Sequence, residues 1–215
     1  MSAPVNIDDW QSKYEETDTF TIVKLYGDHA QIYDKVNMGD HMDIVNALTI
    51  DSVLKYIPDK QTRALDFAAC TGLFGEQLHK YGYTNVDAFD GSAECIEECK
   101  KKNIYTNFLV EFVSDKQLHI PDDSYDAVVC VGGFSKNHLP ISTFSEWVRI
   151  LKPGGYSINS FRLKWLTVEP MYNEGKMLAE LERLEKEGKW KCISREEDNE
   201  KEEDKRFVKY IHQVV

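Results

Sequence analysis

From residue 64 onward, short apolar runs alternate with amphipathic ones, and this alternation sets the expected fold. The run "ALDFAA" reads as a strand and "GLFGEQLHKYG" as the helix behind it. "NVDAFD" is a second strand, with Ser92 as N-cap of the helix "AECIEECKKKN". A third strand, "NFLVEFV", precedes the polar turn "PDDS". A fourth, "YDAVVCV", leads to "FSEWVRIL", a helix that Thr143 and Glu146 open as a capping box. "GGYSINSF" closes the series. Strands separated by helices cannot pair as hairpins, so the pattern predicts an α/β chain with a doubly wound, mainly parallel sheet covered on both faces.

The flanks follow other rules. Residues 1 to about 25 are polar and weakly patterned, with Trp10 and Tyr14 as points of attachment. Residues 33–56 place Met42, Ile44, Val45, Leu48, Val53 and Leu54 at helical spacing, and Pro58 stops the run. Near the other end, "MYNEGKMLAELERLEKEG" reads as a helix with Met177, Leu181 and Leu184 on one stripe and Gly188 as its stop. "WKCIS" and "KRFVKYIHQVV" then flank the charge run "REEDNEKEED", read as a solvated loop, so a terminal antiparallel hairpin completes the sheet.

Composition narrows the function. The chain has 215 residues, 42% hydrophobic and 29% charged, enough for one domain with a continuous core. With 37 acidic against 26 basic residues the net charge is -11, a field that repels a phosphate backbone, and Lys100, Lys101 and Lys102 read as a solvated helix end. Nucleic acid is therefore not an expected partner. The five cysteines show no CxxC spacing, and Cys95 and Cys99, one helical turn apart, read as small buried side chains and not as metal ligands. With no signal-like N-terminus and no apolar run of membrane length, the expectation is a cytoplasmic chain without a membrane partner.

Ligands of a doubly wound sheet sit beyond the carboxyl ends of its strands, where strand order reverses. The loop after the first strand carries Asp66, Ala68, Cys70, Gly72 and Gly75, small residues that let backbone approach a ligand. Eighteen residues past Gly72, Asp90 ends the second strand, followed by Gly91. It stands either where a ribose diol is accepted or as a turn carboxylate beside the next helix start. That spacing serves a nicotinamide dinucleotide as well as an adenosyl cofactor, and the chemistry of the loop separates them. A pyrophosphate needs a bare GxGxxG turn, whereas here the frame reads Cys70, Gly72, Gly75 and Asp66 adds a negative charge. Such an acid suits a cation, and the ammonium group of S-adenosylmethionine fits it.

"ALDFAACTG", "AFDGSAEC", "IPDDSYDAVVCVGG" and "EWVRILKPGGY", in this order and spacing over residues 62–160, resemble class I S-adenosylmethionine-dependent methyltransferases. A narrower resemblance, over residues 26–190, is to the methyltransferase-like proteins of the Williams-Beuren syndrome chromosome region family. It is carried by "YGDHAQIYDKV", "GGFSKNHLP" and "MLAELERLEKEGKW". The resemblance implies a Rossmann-like methyltransferase fold with a seven-stranded sheet ending in an antiparallel hairpin strand. It also implies one domain over 1–215: a helical lid segment at 1–57, a cofactor-binding core at 62–160, and a C-terminal helix and hairpin at 161–215. Carried onto this chain, the cofactor-binding residues are Tyr33, Asp66, Ala68, Cys70, Gly72, Asp90, Gly91, Val131, and Ser114 or Asp115 at the adenine. Ala68 and Cys70 replace two glycines of the family loop, and at Cys70 a side chain occupies a position that prefers positive φ.

Methyl transfer from a sulfonium is an in-line displacement, so alignment in a dry pocket is the main requirement, plus a base if the nucleophile arrives protonated. The acceptor is expected over "GGFSKNHLP", where His138 alone has an ordinary pKa suited to neutral pH. His138 is either that base or a side chain packed under the N-terminal segment. Tyr26 and Tyr33 are either a lid or core residues, and Arg162 either anchors an anionic acceptor or forms a surface ion pair. The expected function is S-adenosylmethionine-dependent methylation of a small molecule or protein side chain. The alternatives are a non-catalytic binding member of the fold and an NAD-dependent oxidoreductase.

Overall fold

The computed structural model describes residues 18–37, 40–202 and 205–215. Trp10 and Tyr14 lie outside them. Two helices come first, α1 (Thr19–Asn37) and α2 (Asp40–Tyr56). The alternating core follows: β1 (Ala64–Phe67), α3 (Leu73–Lys80), β2 (Val86–Asp90), α4 (Ala93–Lys102), β3 (Phe108–Val110), β4 (Tyr125–Val131), α5 (Thr143–Ile150) and β5 (Leu151–Arg162). A short helix α6 (Trp165–Val168), then α7 (Lys176–Lys186), β6 (Trp190–Glu197) and β7 (Phe207–Val214), complete the described elements.

The seven strands form one sheet in the order β3-β2-β1-β4-β5-β7-β6. β1 pairs in parallel with both β2 and β4, so strand order reverses between β1 and β4. β7 runs antiparallel between β5 and β6, which makes the terminal hairpin. The architecture is the expected α/β, doubly wound, seven-stranded Rossmann-like one. Among the described residues, no helix is long and apolar enough to cross a membrane.

Period-two alternation divides the core between the two faces of the sheet. Leu65, Phe67, Phe89, Val128 and Phe161 pack with Trp147 of α5 and with Met177, Leu181 and Leu184 of α7. Ala64, Val86, Val129 and Ile158 pack with Ile50 and Val53 of α2 and Leu78 of α3. Phe67 stacks on Phe89 at 4.3 Å between ring centroids and meets Trp147 edge-on at 5.5 Å. Truncating one such buried ring to alanine costs about 3–5 kcal/mol, so this stack fixes the β1–β2 strand ends firmly.

Four local expectations change. A helix starts at Thr19, inside the stretch read as polar and weakly patterned, and turns Ile22 and Ala30 inward. The Thr143–Glu146 capping box does not form. Ser142 is the N-cap without a side-chain bond, and the Glu146 carboxylate instead accepts from the Leu118 N–H and from Arg149. β3 ends at Val110, three residues short of the predicted run. β6 runs on to Glu197, so the first charges of "REEDNEKEED" are strand residues at the sheet edge. By contrast, Ser92 does accept from the Cys95 N–H, and Gly188, at φ 68°, follows α7.

Candidate active-site cleft

A cleft of about 550 Å³ opens at the carboxyl ends of the strands, beside the β1/β4 reversal. Its volume lies within the range of small-molecule sites. One side is lined by Ala68, Cys70, Asp90, Gly91, Glu111, Phe112 and Val113, and the other by Val131, Gly132, Ser135, Lys136, His138, Arg162, Lys164 and Trp165. α1 covers it with Ile22, Val23, Tyr26 and Tyr33.

The loop after β1 is built by strained backbone held from two sides. Ala68 and Cys70 have φ of 59° and 49°, and Gly72 has φ 86°. A non-glycine residue there costs about 1–2 kcal/mol. What holds Cys70 in place is Asp90: one carboxylate oxygen accepts the Cys70 N–H at 2.8 Å and the other the Ser92 N–H at 2.8 Å. The Cys99 thiol also donates to the Cys70 carbonyl at 3.1 Å. Asp90 thus ties the β1 loop to the start of α4, and each of its oxygens keeps a lone pair for a further donor. Burial pushes its carboxyl above the ordinary value, against the backbone N–H bonds that pull it down.

Asp66 is placed differently. It is buried, is not among the lining residues, and accepts the Tyr105 hydroxyl at 2.6 Å. Burial raises its carboxyl to about 7, opposed by the Tyr105 bond. Tyr105 reaches it across α3 because Gly75 has no side chain, and a Cβ there would collide with the phenol. Gly72 also lies behind the cleft wall, next to the Tyr105 ring.

At the other end, His138 Nδ1 stands 2.5 Å from the Lys136 carbonyl, which only accepts, so Nδ1 carries the proton. Nε2 is then the acceptor for the Tyr26 hydroxyl at 3.1 Å. Burial lowers the imidazole to about 4, so His138 is neutral at pH 7. Tyr26 in turn packs on Tyr33 at 5.6 Å. α1 is further tied down by Asp34, which accepts from Thr71 and pairs with Lys102 at 2.8 Å.

The structure therefore brings Tyr33, Ala68, Cys70, Asp90, Gly91, Val131 and His138 around one cleft. It places Asp66 and Gly72 behind the wall, and Ser114 and Asp115 outside the lining residues. Because β3 stops at Val110, residues 111–113 take the cleft edge. Sequence reasoning did not pick out Glu111, Phe112, Val113, Lys164 or Trp165. The apolar run that continues to Val113 concealed the first three.

A protein-family model, the Methyltransferase domain, matches residues 65–159. Methyltransferase-like protein 27 of Homo sapiens is 28% identical over 148 residues, covering 68% of this chain and 59% of that protein. The Ubiquinone/menaquinone biosynthesis C-methyltransferase UbiE of Rickettsia massiliae is 26% identical over 136 residues, 55% of each chain. The chain thus spans less than two thirds of the length of these relatives. Among solved structures, the N-methyltransferase NodS from Bradyrhizobium japonicum in complex with S-adenosyl-L-homocysteine superposes with a TM-score of 0.67. That likeness covers 92% of this chain and 99% of NodS at 11% identity, and speaks for the fold. The family model and the relatives are thus methyltransferases, and the sheet is that of the NodS fold.

Proposed function

We propose that this chain transfers a methyl group from S-adenosylmethionine to a small-molecule or protein acceptor. The observation that carries this reading is Asp90, a half-buried carboxylate that braces the strained β1 loop while lining the cleft with spare acceptor lone pairs. In this reading Asp90 accepts the ribose hydroxyls, Phe112 and Val113 flank the adenine, and Ala68, Cys70, Gly91 and Val131 border the methionine and ribose. Ser114 and Asp115 support the adenine end through the loop that follows. Asp66 and Gly72 act from behind the wall, Asp66 as a buried carboxyl that a bound ammonium group would draw into its ionised form. Tyr26 and Tyr33 form the lid that excludes water.

S-adenosylmethionine supplies a methyl group activated by its sulfonium. The chain's own residues align the acceptor and keep the pocket dry. His138 is the proposed proton acceptor, reached through the Tyr26 hydroxyl. Burial lowers its basicity, so it matches a nucleophile whose own proton is comparably acidic. Kinship with the Williams-Beuren syndrome chromosome region family, one domain over 1–215 and a cytoplasmic location complete the proposal. Five free thiols, among them Cys70 and Cys95 at 3.9 Å, favour a reducing compartment.

Cys70, with a side chain at positive φ in the cleft wall, favours one second reading, a cofactor-binding protein without transfer activity. Calorimetric titration with S-adenosylmethionine and S-adenosylhomocysteine tests both. Binding with turnover of a labelled donor supports transfer, binding without turnover across a broad acceptor screen supports the second reading, and no heat in a folded sample rejects both.

A further inference from the structure

The charges lining the cleft are sorted by sheet position. Its acids, Asp90 and Glu111, stand at the ends of β2 and β3, and its cations, Lys136, Arg162 and Lys164, follow β4 and β5. Neighbouring strands lie about 4.8 Å apart. Three strand steps separate β2 from β5, so the strand ends that carry Asp90 and Arg162 stand roughly 14 Å apart. The polarity runs against the molecule as a whole, whose net charge of -11 disfavours an approaching anion. Against that background three cations gather on one wall of the concave cleft.

The cations are also firmly mounted. Arg162 is the last paired residue of β5, opposite Phe207 of β7. The Leu163 N–H donates to the Arg206 carbonyl at 2.8 Å, which fixes the chain leading to Lys164. The loop holding Lys136 is anchored by the buried Tyr172, whose hydroxyl donates to the Ser135 and Leu139 carbonyls. The Lys164 ammonium lies 5.0 Å from the centre of the Trp165 ring, so cation and apolar surface are offered side by side. Leu139, Val168 and Tyr26 add further apolar lining.

We propose that the β4–β5 end of the cleft binds a small amphiphilic anion as methyl acceptor. Arg162, Lys164 and Lys136 would hold its carboxylate or phosphate, and Trp165, Leu139 and Val168 its apolar body. This rests on the methyl-donor reading of the β1–β2 end. Attack by an anionic oxygen on the sulfonium methyl forms one O–C bond, breaks one C–S bond and cancels the sulfonium charge against one negative charge, a change that an apolar enclosure favours.

The test is binding of benzoate, phenyl phosphate and the neutral isostere benzamide to the full chain, with and without saturating S-adenosylhomocysteine. Benzoate or phenyl phosphate is expected to bind at least tenfold more tightly than benzamide. Which of the two binds better identifies the anion. The preference is expected to fall as sodium chloride is raised, and to fall about tenfold in the R162Q/K164Q double variant. Equal binding of benzamide and the anions by the wild-type chain overturns the proposal. So does an unchanged preference in a folded double variant, and the salt series on the wild-type chain decides the matter if that variant does not fold. If S-adenosylhomocysteine binds and the anions show no preference, this inference fails and the donor reading stands. If the anions bind through Arg162 while S-adenosylhomocysteine does not, the donor reading fails and the anion site stands.

Discussion

The Tyr26 hydroxyl donates to His138 Nε2 at 3.1 Å, with the two rings edge-on at 5.5 Å, and joins α1 to the loop after β4 from opposite walls of the cleft. A neutral hydrogen bond of this kind contributes about 1 kcal/mol, enough to bias a covering helix without locking it. Tyr26→Phe keeps the ring contact and removes the bond. Backbone hydrogen exchange in α1 is expected to speed up about fivefold, with little change in the sheet. If α1 exchanges at the wild-type rate, the pair does not hold the helix down.

Cys70 carries both strain and bulk. At φ 49° its side chain costs about 1 kcal/mol that glycine would not incur, while its thiol lies 3.9 Å from the Cys95 sulfur and forms part of the cleft wall. Cys70→Gly is expected to tighten S-adenosylhomocysteine binding about fivefold, the equivalent of about 1 kcal/mol, with global stability nearly unchanged because lost packing offsets relieved strain. Weaker binding in a folded variant would show that the thiol is a contact and not an obstruction. Binding that appears only in the variant would favour the non-catalytic reading.

What the sequence made legible was whatever depends on local period and turn chemistry. β1, β2 and β4, the Ser92 cap and the hairpin follow from residues adjacent in the chain, and resemblance to the family loop marked Cys70 as a positive-φ position. The start of α1 was hidden because Thr19, Thr21 and Val23 are β-branched and Phe20 is 72% exposed, so the inward spacing of Ile22, Tyr26 and Ala30 stood out poorly. The end of β3 was hidden for a different reason. Apolar residues continue to Val113, yet pairing with β2 stops at Val110, and hydrogen bonding is decided by the neighbouring strand. The Tyr105–Asp66 bond joins residues 39 apart, and the cationic wall gathers residues from two loops. Both appear only once the sheet is wound.

Asp66 gives stability an unusual dependence on pH. An unfolded chain releases this proton near 3.8, whereas burial holds it to about 7 in the folded state. Between those values the folded state binds more protons, so the contribution of Asp66 is full below about 3.8 and is lost as pH rises through about 7. Asp66→Asn keeps an oxygen for the Tyr105 hydroxyl and cannot titrate. The melting temperature of the wild-type chain minus that of the variant is therefore expected to fall as the buffer is taken from about pH 4 to about pH 8. Parallel melting curves across that range would mean that Asp66 is ionised throughout.

Asp90 offers the sharpest test of the cofactor reading, because its two roles make different demands. As a brace it needs only to accept the Cys70 and Ser92 N–H groups, one on each oxygen. As a ribose acceptor it must present further lone pairs to a diol. Asp90→Asn replaces one accepting oxygen by an NH₂ that faces a backbone donor, so a loss of about 1–3 kcal/mol of stability is expected under either role. Stability alone cannot separate them, and the ligand does. If Asp90 accepts the diol, the wild-type chain binds adenosine more tightly than 2′,3′-dideoxyadenosine, by about 10-fold for two charge-assisted bonds given up together. Most of that preference disappears in the Asn variant. An equal ratio in both proteins would make Asp90 a brace alone, and the acceptor of the ribose would have to be sought at Glu111, the other carboxylate on that wall.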